Sequence, residues 1–202
     1  FRGPIVLLAA LLLVTACGGT SPYAIQSEID AGNFEGAAEK LAKRRDAYPD
    51  DFDTRLNLAD VYYQLARESL DAKNQTAYVD YLAKAQAEVL EAVRIDPTSP
   101  RPHTWLGIIT AYQGDLDSSE TSFKNALRLN LAERMELRAG TYYSNIAHIS
   151  VYQGKLGDAR RYLEKGVKNG APQDEIDRIS VLAAWKANDM VEARDVFNSA
   201  IV

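Results

Sequence analysis

From Pro22 onward the chain is punctuated for helices at a regular interval. Apolar side chains fall at helical spacing almost throughout, with Gly and Pro between the helical stretches rather than inside them. The clearest block starts at Pro100. Leu106-Gly107 is followed by Gly114-Asp115, and Phe123, Ala126 and Leu127 come next. Gly154-Lys155-Leu156 with Ala159 and Leu163 repeats the pattern. Asn188-Asp189-Met190 with Ala193, Phe197 and Ala200 repeats it again, one regular interval after Gly154. Gly32-Asn33-Phe34 with Ala37, Leu41 and Pro49 opens the series. Leu58-Ala59 with Tyr62, Ala85, Val89, Ala92 and Pro97 forms the second block. Each block is a helical hairpin too small to bury its own apolar face, so neighbouring blocks must stack. Gly107 and Ala126 permit close helix approach. Gly114 supplies a left-handed residue to end one helix, and Asp115 can cap the next.

These spacings resemble the tetratricopeptide repeat, a helix–turn–helix unit of about 34 residues. The interval from Gly154 to Asn188 equals that period. The resemblance implies an all-α, right-handed superhelical solenoid of about five repeats over residues 23–202. Two blocks depart from the period. Ala59 to Pro97 is much longer than the matching stretch from Gly107 to Leu131. The surplus falls around Arg67 to Asp80, which is good helix material, so both helices are expected to extend by about two turns. Gly114 to Gly154 also exceeds the period, and the surplus Leu131 to Arg138 reads as an N-terminal extension of the following helix. The sequence reaches Ala200-Ile201-Val202 without a polar capping helix, so the expectation is that the last pair is stable unaided or that something else, such as another subunit, covers that end.

The first residues read as an address. Arg2 precedes Ile5 to Val14, a run without a polar group. As a helix this run spans about 15 Å, half of a roughly 30 Å hydrocarbon core, too short for a stable spanning segment. Small residues then lead to the only Cys, in Val14-Thr15-Ala16-Cys17. This resembles a bacterial lipoprotein signal. Residues 1–16 would be removed and Cys17 acylated, with residues 17–22 as the lipidated Cys and its tether. The sequence opens on Phe1, so the charged stretch before the apolar run is expected to be incomplete. Gly18 rather than Asp after the Cys implies the outer membrane, on its periplasmic face. Several acyl chains anchor firmly, at about 0.8 kcal/mol per buried methylene. Gly18 to Pro22 reaches only about 17 Å when fully extended, which would hold the folded part close to the bilayer.

Composition narrows the function. Lys plus Arg number 23 against 28 Asp plus Glu, a net charge of −5, which argues against nucleic acid as a partner. One Cys and two His exclude a zinc finger, a disulfide framework and a His-rich metal cage. His103 and His148 fall in adjacent repeats and not in a ligand pair, and there is no G-x-S-x-G and no phosphate loop. Asp50-Asp51 and Asp174-Glu175 stand at expected helix starts, where carboxylates favour the positive helix end. Lys43-Arg44-Arg45 reads as a solvated helix face, with contact to anionic headgroups as the other reading. The expectation is therefore a non-enzyme with no cofactor, no metal and no small-molecule substrate.

In the tetratricopeptide family the first helix of each pair lines the ligand groove. Alignment of those helices places Leu56, Asp60, Tyr63 and Gln64 there from the second unit, and Thr104, Ile108, Ala111 and Tyr112 from the third. The fourth gives Ser144, His148, Val151 and Tyr152, and the fifth Arg178, Leu182, Trp185 and Lys186. The Lys and Asn set with which chaperone-tail-binding members clamp a terminal carboxylate is missing from these positions. An aromatic recurs near the end of each first helix: Tyr63, Tyr112, Tyr152 and Trp185. Such side chains bury large area at low entropic cost and suit a protein-binding surface, although they could instead pack between repeats. Tyr62, Tyr63, Tyr78 and Tyr81 on the extended second unit form another candidate contact ridge.

The organisation is most similar to the type IV pilus pilotins, lipoproteins with little linker and tandem repeats that help a secretin assemble. The fuller pilotins have six repeats, and about five are counted here. The resemblance implies an outer-membrane scaffold that binds a membrane-protein partner, with a secretin as the leading candidate. The alternatives are a periplasmic peptide carrier, or an adaptor of β-barrel assembly or of a cell-wall hydrolase.

Overall fold

The computed structural model describes residues 21–132 and 139–189. The signal segment, Cys17, the remainder of the surplus at 133–138 and the last helix expected around Ala193, Phe197 and Ala200 lie outside the described residues. Nine helices and no strand occur among the described residues. The chain divides into two compact units, Phe1–Ile95 and Asp96–Val202. Unit 1 holds α1 (Pro22–Asp30), α2 (Phe34–Ala47), α3 (Phe52–Asp71) and α4 (Gln75–Ile95). Unit 2 holds α5 (Pro100–Tyr112), α6 (Leu116–Ala132), α7 (Ala139–Tyr152), α8 (Leu156–Lys168) and α9 (Gln173–Lys186).

One local device makes each hairpin. Gly32, Lys73, Gly114, Gly154 and Asn188 all have left-handed φ, between 58° and 85°. After each, the next residue's N–H reaches back to a carbonyl five positions earlier, as in Asn33 to Glu28 (2.8 Å) and Asp115 to Thr110 (2.9 Å). That bond closes the last turn of the helix and frees the next residue to start another. The Asn33, Asn74 and Asp115 side chains then accept from backbone N–H groups three residues on, at 3.0–3.2 Å. The same geometry recurs at five such turns among the described residues and also at Gly170, between α8 and α9, where the Ala171 N–H bonds the Gly166 carbonyl.

The second repeat, α3 and α4 of unit 1, is extended: α3 gains the expected two turns, whereas α4 gains only about one. α3 has 20 residues and α4 has 21, against 13 in α5 and 17 in α6. Three of its tyrosines turn inward. Tyr62 and Tyr81 stack with centroids 6.3 Å apart and pack on the unit 1 core, and Tyr78 is buried. Tyr62, Tyr78 and Tyr81 thus pack within the hairpin instead of projecting from it, and Tyr63 is partly exposed beside Arg67. Elsewhere α6 runs on through Ala132, so Leu131 and Ala132 continue the preceding helix rather than extending the next one.

Apolar stripes assemble the core of each unit. In unit 1, Ile25, Ala37, Leu41, Leu58, Val61 and Leu65 join α1, α2 and α3. In unit 2, Phe123 packs with Ile146 and Ile149, and Ala147, Val151, Ala159, Leu163, Ile176 and Ile179 form the next layer. Gly107 faces Phe123 so closely that an added Cβ would meet the ring at 2.7 Å. The Lys43-Arg44-Arg45 run is mostly turned inward, unlike a solvated face. Arg44 donates to Asp51 and Thr54, Arg45 donates to Glu88, and only Lys43 stays exposed, beside Glu39.

Candidate protein-interaction surface

Three first helices of unit 2 end in the same way. Tyr112 closes α5, Tyr152 closes α7 and Trp185 is the penultimate residue of α9. Each lies two or three residues before its left-handed turn residue. Their exposures are 41%, 50% and 57%, so about half of each side chain is presented to solvent. Large apolar rings held half out of a rigid framework are the side chains that dominate protein interfaces.

The neighbouring polar residues condition this face. His148 lies one turn before Tyr152 on α7, with ring centroids 5.0 Å apart. Burial, with a smaller contribution from the Arg178 charge, lowers the His148 pKa to about 4. The imidazole is therefore neutral near pH 7 and offers one donor and one acceptor. On α9, Arg178 and Trp185 share a face at a spacing of two helical turns, and the Lys186 ammonium lies 5.6 Å from the Trp185 ring centroid. The fold thus brings His148, Tyr152 and Arg178 together. Ile108 sits lower, packed against Phe123, Ile146 and Ile149, and supports α5 from beneath. Ser144 and Val151 are buried, as is Leu56 in unit 1, so none of these three reaches a partner. Asp60 and Tyr63 belong to unit 1. Asp60 accepts from Gln64 at 3.1 Å, and the Arg67 guanidinium lies 6.0 Å from the Tyr63 ring centroid.

The groove positions read from the sequence left out α1. In unit 1 its Ile25 and Ile29 share a concavity with α3. The signal available in the sequence was the polar stripe Asp53, Asn57, Asp60 and Gln64, spaced for one face of a helix.

His148 sets a pH dependence. Its folded pKa lies below the ordinary 6.5, so the unfolded chain takes up the proton first. The stabilisation is present above pH 6.5 and is lost as pH falls toward 4. Moving from pH 7 to pH 5 should therefore reduce stability by about 1–2 kcal/mol, allowing for partial solvent screening. Denaturation midpoints across this range check it, and His148→Gln should flatten the profile. An unchanged slope in the variant would assign the dependence to other groups.

Among the described residues no helix is long and apolar enough to cross a membrane. No group of three or more His, Cys, Asp or Glu among them is placed to hold a metal ion.

Stacked helical hairpins with an exposed aromatic rim define the class: a helical-repeat scaffold for protein–protein interaction. A model of the tetratricopeptide repeat family matches residues 24–74 and 144–202, more than half of the chain, which belongs to this family. Family members are generally non-catalytic scaffolds. Solved structures agree on the fold. A thermophilic TPR protein of Thermus thermophilus superposes with a TM-score of 0.61 at 21% identity, over 89% of this chain and 78% of that one. MamA gives 0.65 at 18% identity, over 88% and 92%. PilW, described as a widely conserved type IV pilus biogenesis factor, gives 0.69 at 18% identity, over 88% and 74%. At these identities the likeness concerns the fold alone. No curated protein matches the chain.

Proposed function

We propose that this protein is a lipid-anchored, non-catalytic scaffold on the periplasmic face of the outer membrane. It holds a membrane-protein partner during assembly of an envelope complex, with a type IV pilus secretin as the leading candidate. The observation that carries the binding role is the exposed row of Tyr112, Tyr152 and Trp185 in unit 2. The anchor rests on the Val14-Thr15-Ala16-Cys17 signal. Fold likeness to PilW makes the pilus reading the first to test.

The test is a mild-detergent pulldown from native membranes with mass identification. A secretin in the eluate favours the pilotin-like role. A β-barrel assembly subunit or a wall hydrolase in its place would reassign the complex, and recovery of no folded partner would sink the scaffold reading. Replacing Tyr112, Tyr152 and Trp185 together by Ala should weaken capture of the partner by about tenfold or more, about 1.4 kcal/mol or above. The melting temperature should move by only a few degrees, because the rings are half exposed. A large loss of stability with unchanged capture would make them packing residues. Cys17→Ala should move the protein from the membrane fraction to the soluble fraction with its helical circular dichroism intact. Retention in the membrane fraction would remove lipidation as the anchor.

A further inference from the structure

Helix α4 carries an outward stripe unlike that of its counterparts. Its inner face packs through Leu82, Ala85, Val89 and Ala92, all buried. The outer face runs Val79, Ala83, Ala87 and Leu90, at helical spacing. Val79 is 55% and Leu90 52% exposed, and both alanines are exposed. Aligning the second helix of each hairpin on its buried core positions locates the equivalent outward positions elsewhere. These include Glu35 and Glu39 on α2, Asp117 and Lys124 on α6, and Arg161 and Glu164 on α8, all exposed. A polar outer face is what contact with water selects on a packed helix. On α4 an apolar stripe takes its place, on a face that extends about 23 Å from Val79 to Arg94.

Four charged side chains edge this stripe. Lys84 bonds Asp80 at 2.7 Å and lies 5.1 Å from the Tyr81 ring centroid. Arg94 bonds Glu91 at 2.8 Å and Asp50 at 2.6 Å. Asp80, Lys84, Glu91 and Arg94 are all 45–57% exposed, and ion pairs so exposed exchange partners at little cost. Their order selects the occupant. Asp80 lies seven residues before Ala87 and Arg94 seven after it, while Lys84 lies three before and Glu91 four after. A second α4 laid antiparallel, with the two-fold axis at Ala87, brings the same edge of both helices together. Asp80 then meets Arg94 of the second copy, and Lys84 meets its Glu91, each pair occurring twice. On the stripe itself the two Ala87 methyl groups meet at the axis, and Leu90 comes over Ala83 of the second copy. Large side chains set against small ones let two helices approach closely. A lipid surface or a partner of one charge would be met by charges of one sign. The order minus, plus, minus, plus is instead its own complement when reversed, which is the condition for an isologous contact. We propose that the outer face of α4 is a homodimer interface, formed by antiparallel pairing with α4 of a second copy. A two-helix contact of this length lies at the small end of specific interfaces, so micromolar affinity is expected. The interface rests neither on the aromatic row nor on the lipid anchor.

The experiment measures the mass of the purified full-length protein in mild detergent by sedimentation, from about 1 to about 100 μM. The expected result is a monomer–dimer equilibrium. Leu90→Lys should weaken it by about tenfold or more, with circular dichroism unchanged because the side chain is half exposed. Charge variants test the register. Asp80→Arg alone sets Arg against Arg94 in both pairs of the dimer, and Arg94→Asp alone sets Asp against Asp80. Each should weaken association by about tenfold. In an equimolar mixture of these two variants the mixed dimer has only opposite charges facing each other, and it should form within about threefold of the wild-type affinity. The Ala variant of Tyr112, Tyr152 and Trp185 should dimerise like the wild type. A monomer at every concentration, charge variants that dimerise normally, or a mixture that stays as weak as its components would each overturn the proposal. Loss only in the aromatic variant would move the interface to unit 2 and overturn it equally. So would a monomer that binds phospholipid vesicles through Leu90, which would assign the stripe to lipid.

Discussion

Replacing Glu88 by Ala should lower stability by about 3–5 kcal/mol. Glu88 lies on α4 with its side chain only 8% exposed, and it receives two guanidinium groups. One carboxylate oxygen accepts from Arg45 on α2 at 2.7 Å, the other from Arg55 on α3 at 2.6 Å. Arg55 also donates twice to the Pro49 carbonyl in the α2–α3 turn, at 2.9 and 3.1 Å. One carboxylate thus ties three helices and a turn, and it holds the Arg45 guanidinium more firmly in its charged form. Truncation removes the anion and leaves both cations behind. Arg45 is 27% exposed and can turn to water or to Asp46, whereas Arg55 at 13% keeps its bonds to the Pro49 carbonyl but loses the Glu88 carboxylate, and its poorly compensated charge dominates the loss.

Two further variants separate this account from simple loss of packing. Glu88→Gln keeps the volume and one acceptor and should lose about half as much. Glu88→Leu combined with Arg55→Met removes both charges at once and should recover most of the loss, because apolar replacement of a buried pair is often neutral. Chemical denaturation of the full chain reads all three. A cost below about 1 kcal/mol for Glu88→Ala would place the triad among ordinary surface ion pairs.

This network marks the limit of what the sequence discloses. The hairpin grammar was legible because it is local: Gly32-Asn33, Gly114-Asp115 and Gly154-Lys155 each need a left-handed residue and then a helix start. The turn between α3 and α4 was not legible, since Lys73 supplies the left-handed residue without being Gly. Arg45 and Glu88 lie 43 residues apart and no periodicity links them. A run of three basic residues on a helix therefore read as a solvated face. The aromatic column was legible as a spacing, but exposure decided its meaning. Tyr112, Tyr152 and Trp185 are presented, whereas Ser144 and Val151, read from the same alignment, are buried. Which of two adjacent helical positions faces a neighbour depends on how the next hairpin packs, and the period alone does not specify that.

Gly140→Ala should reduce the stability of unit 2 by about 3 kcal/mol, against the usual direction of that substitution in a helix. Gly140 lies in the first turn of α7. A Cβ built there would stand 2.3 Å from the Ala171 nitrogen, 2.7 Å from the Asn169 carbonyl oxygen and 2.7 Å from the Gly170 carbonyl carbon. All three are backbone atoms of the turn between α8 and α9, so no side chain can rotate away. That turn is fixed at both ends. The Ala171 N–H bonds the Gly166 carbonyl at 2.9 Å, and Gly170 holds a left-handed φ of 77°. The methyl group must push α9 off α7, which disturbs the contact of Ile176 and Ile179 with Ala147 and Val151. Helix propensity favours Ala by at most about 1 kcal/mol, so the steric effect wins. For a chain of this size the loss corresponds to a fall of about 6–12 °C in melting temperature. Gly157→Ala on α8 is the control. Beyond its own stretch of helix no atom lies within 4 Å of its added Cβ, so it should be neutral or stabilise by up to about 1 kcal/mol. Gly107→Ala should fall between them, because its obstacle is the Phe123 ring, which can shift at the expense of core packing. If Gly140→Ala and Gly157→Ala move the melting temperature alike, the close approach of α7 to the α8–α9 turn is not what holds the last hairpins together.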